Sequence, residues 1–203
     1  MSKDVMLSVR PEWCEKIASG EKTIEVRKTR PKLETPFKCY IYCTQASVRY
    51  RTICGCHVLN SDELYRHPEQ GIKHGYSIEL MLCENYTKDN FLNGKVIGEF
   101  TCDRIDRLAP ANEPYGIYDI DDDYVLQTCL ENGALWDYGH GTPLYGWHIS
   151  NLKIYDTPKE LSKFSRPFEN CIDKVCDEFG CASCENGGHI KRPPQSWCYV
   201  EAM

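Results

Sequence analysis

Gly20-Glu21-Lys22-Thr23-Ile24-Glu25-Val26-Arg27-Lys28 is the stretch on which the reading of this chain turns. Gly20 supplies the left-handed backbone that ends a helix or makes a tight turn. The residues after it alternate as a β-strand does, with successive side chains on opposite faces. Ile24 and Val26 are therefore expected to face a core, while Thr23, Glu25 and Arg27 share the other face. Lys22, at the mouth of the strand, can swing toward that second face. The expectation is a fixed row of charge able to grip a polar ligand.

The sequence before this stretch reads as a short strand, Val5–Val9, and then a helix with Pro11 in its first turn. Trp13 and Ile17, with Cys14 and Ala18 beside them, give that helix one apolar face. Further strands are read at Phe37–Cys43, at Val96–Cys102 with Gly98 marking a bulge or a close approach, from Gly146 through Ile154, and at Ser196–Val200. Thr157-Pro158-Lys159-Glu160 has the pattern of a capping box opening a helix. Asp121-Asp122-Asp123 leads into an apolar helical run around Leu126 and Leu130, and another helix is expected after Ser61. Short strands separated by long excursions predict a mixed α+β protein, mainly β: one small barrel with peripheral helices, its first and last strands side by side. Residues 1–203 are read as a single domain with insertions at about 44–93, 107–145 and, rich in cysteine, 165–191.

The chain has 203 residues and a net charge of −6. A duplex-binding protein shows a broad basic face, so any nucleic-acid contact here is expected to be local and the ligand small or single-stranded. No apolar run is long enough to span a bilayer, and the start, Met-Ser-Lys-Asp-Val-Met-Leu, lacks the apolar core of a signal peptide. The reading is a cytoplasmic protein with no membrane partner. Its 13 cysteines are then thiols rather than disulfides. Cys171, Cys176, Cys181 and Cys184, with His189 as a spare, have a partly zinc-like spacing and would make a closed, structural zinc site in a segment poor in aliphatics. Four free thiols in a loop is the competing reading. Cys54, Cys56 and His57 are read as packing residues.

Gly20, Lys22, Glu25 and Arg27 form the pattern G-x-K-x-x-E-x-R after a strand and a helix. In this the chain resembles the ASCH domain family, of the PUA-like superfamily. The Val96-Ile97-Gly98-Glu99 strand and the Pro193–Tyr199 segment are similar to those of bacterial and phage ASCH-domain proteins. The resemblance covers the barrel strands and leaves the middle excursions and the cysteine cluster outside. It implies a PUA-like small β-barrel whose cleft, lined by Lys22, Glu25 and Arg27, takes RNA or a nucleotide-type ligand. Arg27 would fork onto a phosphate or base edge, Lys22 would supply a point charge, and Glu25 would accept from an exocyclic amine. A distinct branch of the family hydrolyses acylated cytidines with a lysine and a threonine three residues later. Here that later position is Glu25, and Thr23 follows Lys22 directly, which argues against the amidohydrolase form. The enzyme alternative, acting on RNA or acylated cytidine, has Lys22, Thr23 and Glu25 as its catalytic candidates, with Glu99 as an orienter and Ser196 or Cys198 as other nucleophiles. Tyr40, Tyr42, Trp147, Trp197 and Tyr199 are either a stacking wall for bases or core, and His148 is a possible donor at the cleft.

Overall fold

The computed structural model describes residues 3–45, 93–111, 116–167 and 190–202. Its strands are β1 (Asp4–Val9), β2 (Ile24–Arg27), β3 (Phe37–Cys43), β4 (Val96–Leu108), β5 (Leu144–Lys159), β6 (Phe164–Ser165) and β7 (Trp197–Ala202). Among the described residues three α-helices accompany them: α1 (Pro11–Ala18), α2 (Asp122–Thr128) and α3 (Asn132–Gly139). The strands form a seven-stranded sheet in the hydrogen-bonded order β2-β5-β4-β3-β1-β7-β6. The mixed, mainly β class read from the sequence holds. The order has two ends, β2 and β6, and among the described residues the sheet does not close into the expected barrel.

The opening follows its local signals. Pro11 begins α1, whose Cys14 and Ile17 are buried. Gly20, at φ +82°, takes the left-handed conformation and donates to the Ile17 carbonyl. The Lys22 amide then donates to the Lys16 carbonyl, and the chain turns into β2. β1 pairs in parallel with β3, Val5 opposite Cys39 and Val9 opposite Cys43. A parallel pair needs a crossover between its strands, and α1 with β2 lies within it. β1 also pairs antiparallel with β7, Val5 opposite Tyr199 and Leu7 opposite Trp197, so the first and last strands are neighbours as expected.

Two compact units are distinguished. One comprises the described parts of residues 1–15, 39–99 and 154–203. Its core gathers Met6, Tyr40, Tyr42, Val96, Tyr155, Phe164, Ile190 and Val200, with Cys198 packed against it. Tyr155 donates to Glu99 (2.6 Å) and Tyr40 to Asp4 (3.2 Å). Burial first, then the neighbouring carboxylates, raises both phenol pKa values, so both hydroxyls remain donors.

The other unit comprises residues 16–38 and the described part of 100–153. Val26, Leu108, Tyr118, Leu135 and Leu144 are its core, joined by Tyr124, Leu130 and Trp136. Asp121 caps α2 by accepting from the Tyr124 amide (2.7 Å), so the acidic run opens the helix as read. The helix ends at Cys129, φ +54°. Leu126 is 71% exposed, whereas Leu130, beyond the helix, packs on the core. So short a helix can bury only one side, and that side carries Tyr124 and Thr128.

β4 and β5 run furthest past their expected limits. β4 continues from Cys102 to Leu108, and β5 runs on to Lys159, taking in Thr157 and Pro158. The helix predicted from the capping box is replaced by a 3₁₀ turn at Leu161–Lys163, preceded by Glu160 in extended conformation. Fully buried Phe164 opens β6 directly afterwards, leaving no room for more than one turn. The helix expected after Ser61, most of the 44–93 insertion and most of the 165–191 insertion lie outside the described residues. No helix among the described residues is long and apolar enough to cross a membrane.

Gly139 closes α3 directly beneath the buried Tyr118 ring, whose hydroxyl donates to the Thr142 carbonyl (2.6 Å). A Cβ at position 139 would collide with that hydroxyl. Gly139→Ala is expected to cost about 2 kcal/mol of unfolding free energy by overpacking, measured by urea denaturation. An unchanged midpoint would contradict this packing.

Candidate functional site

The three charged residues of the G-x-K-x-x-E-x-R pattern converge. Glu25 and Arg27 project from the same face of β2, and Arg27 Nη2 lies 2.9 Å from Glu25 Oε1. Lys22, from the turn, reaches the other carboxylate oxygen, Oε2, at 3.3 Å. Its ammonium also donates to the Thr128 carbonyl at 2.5 Å. That carbonyl belongs to the last turn of α2, where acceptors lack helical partners and the helix dipole is negative, a natural seat for a cation. The Thr23 amide binds the Gln127 carbonyl (3.0 Å) beside it, so the mouth of β2 is fastened to the end of α2.

The expected open row is instead a buried network. The side chains of Lys22, Glu25 and Arg27 are 1%, 8% and 9% accessible. Both faces of β2 are covered, because Ile24 and Val26 are also buried. In the antiparallel β2–β5 pair Glu25 stands opposite Trp147 and Arg27 opposite Tyr145. Trp147 is fully buried, with Phe37 edge-on against it at 5.8 Å. Two formal positive charges and one negative share this space. Such a cluster persists only where each ion is paired or hydrogen-bonded.

A second polar cluster occupies the opposite face of β5, where His148 stands across from Ile24. His148 Nε2 lies 2.6 Å from Asp106 Oδ2, and Arg104 Nε lies 3.2 Å from Asp106 Oδ1. Arg104 Nη2 is within 3.0 Å of Nε2 and 3.5 Å of Nδ1, so the guanidinium lies against the imidazole. At that distance His148 Nε2 and the Asp106 carboxylate share a hydrogen bond. Tyr124 packs edge-on to the imidazole at 6.2 Å, and burial, then the Asp106 carboxylate, raises its pKa. Gly146 makes room for this hydroxyl, which a Cβ there would strike. Sequence reading found His148 alone. Arg104 and Asp106 were missed because β4 was read as ending at Cys102; their alternation was the available signal.

Beyond Arg27 the chain runs Lys28-Thr29-Arg30-Pro31-Lys32. Lys28 Nζ lies 4.9 Å from the centre of the Tyr138 ring, and the Arg30 guanidinium carbon lies 5.9 Å from that of Tyr145. A cavity of about 630 Å³ is lined by residues 30–35 and Ile105. Lys22, Glu25 and Arg27 are not in its wall. This hollow lies one step along the chain from the motif that was expected to line a cleft.

The remaining candidates fall elsewhere. Thr23 Oγ1 lies 3.5 Å from Gln127 Oε1. Glu99 belongs to the other unit and accepts from Tyr155. Cys198 packs on that unit's core, where burial pushes its thiol up to about 11 against a smaller lowering by Arg166, a poor setting for a thiolate nucleophile. Ser196 gives its carbonyl to the Ser8 amide (2.9 Å). Tyr40, Tyr42 and Trp147 are buried and form no exposed stacking wall. Trp197 and Tyr199 are half-buried and pack edge-on at 5.4 Å. Cys54, Cys56 and His57, and Cys171, Cys176, Cys181, Cys184 and His189, lie outside the described residues. Among the described residues no group of three or more His, Cys, Asp or Glu side chains is placed to hold a metal ion.

Glu25→Gln keeps the shape of the network and removes its anion. It is expected to lower the unfolding free energy by about 3 kcal/mol, since two cations stay buried beside a neutral amide. Denaturant titration measures this, and wild-type stability in the variant would refute the network as drawn.

Residues 7–90, which include half of β1, all of α1, β2 and β3, and the charged motif, match the family model of the ASCH domain. Two crystal structures of ZmASCH from Zymomonas mobilis, a tyrosine-to-phenylalanine mutant and a serine-to-alanine mutant, are similar to this chain. Each is 16% identical over 98% of it, covering 91% and 89% of the two mutant chains, with a TM-score of 0.52 in both cases. At that identity the likeness is one of fold. No curated protein sequence matches. The charged motif, in its strand-helix-turn-strand setting, lies within the residues that match the ASCH domain model.

Proposed function

We propose that this chain binds single-stranded RNA or a nucleotide-type ligand at the end of β2. The observation that carries the reading is the Lys22–Glu25–Arg27 network, which brings two cations to one carboxylate. Its formal charge is positive in a chain whose total is −6. The planar fork of Arg27 suits a phosphate or a base edge and the Glu25 carboxylate suits an amine, and a ligand reaches either only as the buried end of β2 opens to it. The Lys22 ammonium holds the carboxylate in place from below. Exposed Lys28, Arg30 and Lys32 continue the positive potential outward, which suits a flexible backbone better than a duplex. The ASCH-domain match over residues 7–90 supports the same ligand class by analogy.

Fluorescence anisotropy with a labelled single-stranded RNA tests this. Binding is expected to weaken steadily as salt rises. Arg27→Lys retains the charge and loses the fork, and is expected to weaken binding at least about fivefold, with the melting temperature recorded alongside. Wild-type protein that binds neither RNA nor a mononucleotide at low salt would overturn the reading.

The same proposal keeps a structural zinc on Cys171, Cys176, Cys181 and Cys184, with His189 as the spare ligand, supported by spacing alone. Elemental analysis of purified protein is expected to give about one zinc per chain, lost in a Cys181→Ser/Cys184→Ser variant. Metal-free, folded wild type would refute it.

A further inference from the structure

We infer that the cavity between residues 30–35 and Ile105 is a mononucleotide subsite, with the phosphate on Arg30 and Lys32 and the base against Leu33 and Ile105. The inference rests on the nucleic-acid reading above and adds to it a place and a unit of recognition outside the motif.

The segment is held in position at both ends. Arg27, in the ion network, precedes it, and buried Phe37 follows it as the start of β3. Pro31, in the middle, is buried and has a fixed φ. The loop between these anchors therefore presents its side chains from a constrained backbone, which lowers the ordering cost of binding. Exposed Arg30, Lys32, Glu34 and Thr35 contribute to the cavity wall, together with half-buried Leu33 and Ile105. Arg30 is oriented by the ring of Tyr145, which stands opposite Arg27 in the β2–β5 register.

The chemistry of the wall selects the ligand. Two cations against the one carboxylate of Glu34 favour an anion. The aliphatic surface of Leu33 and Ile105 calls for an apolar or flat face on the same molecule, which a bare phosphate or sulfate lacks. Glu34 disfavours a polycarboxylate and accepts from an exocyclic amine. An anion joined to a planar ring bearing amines meets all three conditions, and a nucleoside monophosphate is such a molecule. The volume, about 630 Å³, is within the usual span of small-ligand sites.

The test uses the full chain and backbone-amide NMR, with cytidine 5′-monophosphate, adenosine 5′-monophosphate and inorganic phosphate as separate probes. The nucleotides are expected to give saturable shifts at residues 30–35 and 105. An Arg30→Ala/Lys32→Ala variant is expected to bind them at least about tenfold more weakly. Arg107→Ala, which removes an exposed cation of β4 outside the cavity wall, is expected to change affinity less than about twofold. Both altered residues are exposed, and an unchanged melting temperature certifies the fold. Nucleotides that leave residues 30–35 and 105 unperturbed, or that bind the double variant like the wild type, overturn the subsite. Inorganic phosphate binding as tightly as the nucleotides overturns the role given to Leu33 and Ile105. Wild-type protein that binds RNA while failing these tests leaves the broader reading standing, whereas failure with RNA and nucleotides alike sinks both.

Discussion

The Glu25 carboxylate, held between the Lys22 ammonium and the Arg27 guanidinium, is the constraint on which the surrounding unit depends. Cations cannot be taken out of water without a partner, so a strand buried on both faces that carries Arg27 and follows Lys22 requires an anion between them. The Thr128 carbonyl takes the remaining direction of the Lys22 ammonium. That contact sets the end of α2 against the mouth of β2. The same network fixes where the chain emerges after Arg27, and so where Lys28 and Arg30 meet their tyrosine rings.

The unit repeats this arrangement in different chemistry on the other face of β5. Asp106 there bridges a histidine and an arginine as Glu25 bridges a lysine and an arginine. The two clusters differ in their access to water. Glu25 is 8% accessible, whereas Arg104 in the second cluster is 64% accessible. The buried cluster is accordingly tied to stability as closely as to any ligand. The exposed cations stand on the segment after it. An acidic chain that concentrates exposed cations at Lys28, Arg30 and Lys32 directs attraction to one place rather than spreading it over its surface.

Much of the fold was legible. Proline at the start of α1 and glycine after its end, at φ +82°, bounded the helix, because both residues act through their own backbone geometry. β3 was read to the residue, and β1 and β7 were rightly expected side by side. Errors arose where a local signal met a distant demand. The capping box at Thr157 yielded to the continuation of β5 and the nearby anchor Phe164. The helical run read around Leu126 and Leu130 ends before Leu130, and Leu126 faces outward while Tyr124 and Thr128 take the buried side. Asp106 and Arg104 escaped notice because β4 was read as ending at Cys102, and their alternation beyond it is polar rather than apolar.

Sequence alone determined that Glu25 and Arg27 share a side, that Lys22 can join them, and that this row begins just after a glycine turn. Alternation and turn chemistry are properties of neighbouring residues, so they can be read from neighbours. Tertiary structure decided whether that side would meet water. Trp147 opposite Glu25, Phe37 against Trp147, and a carbonyl 106 residues from Lys22 cover it. Burial is conferred by whatever other segments bring across the face, and a strand's own residues carry no record of it.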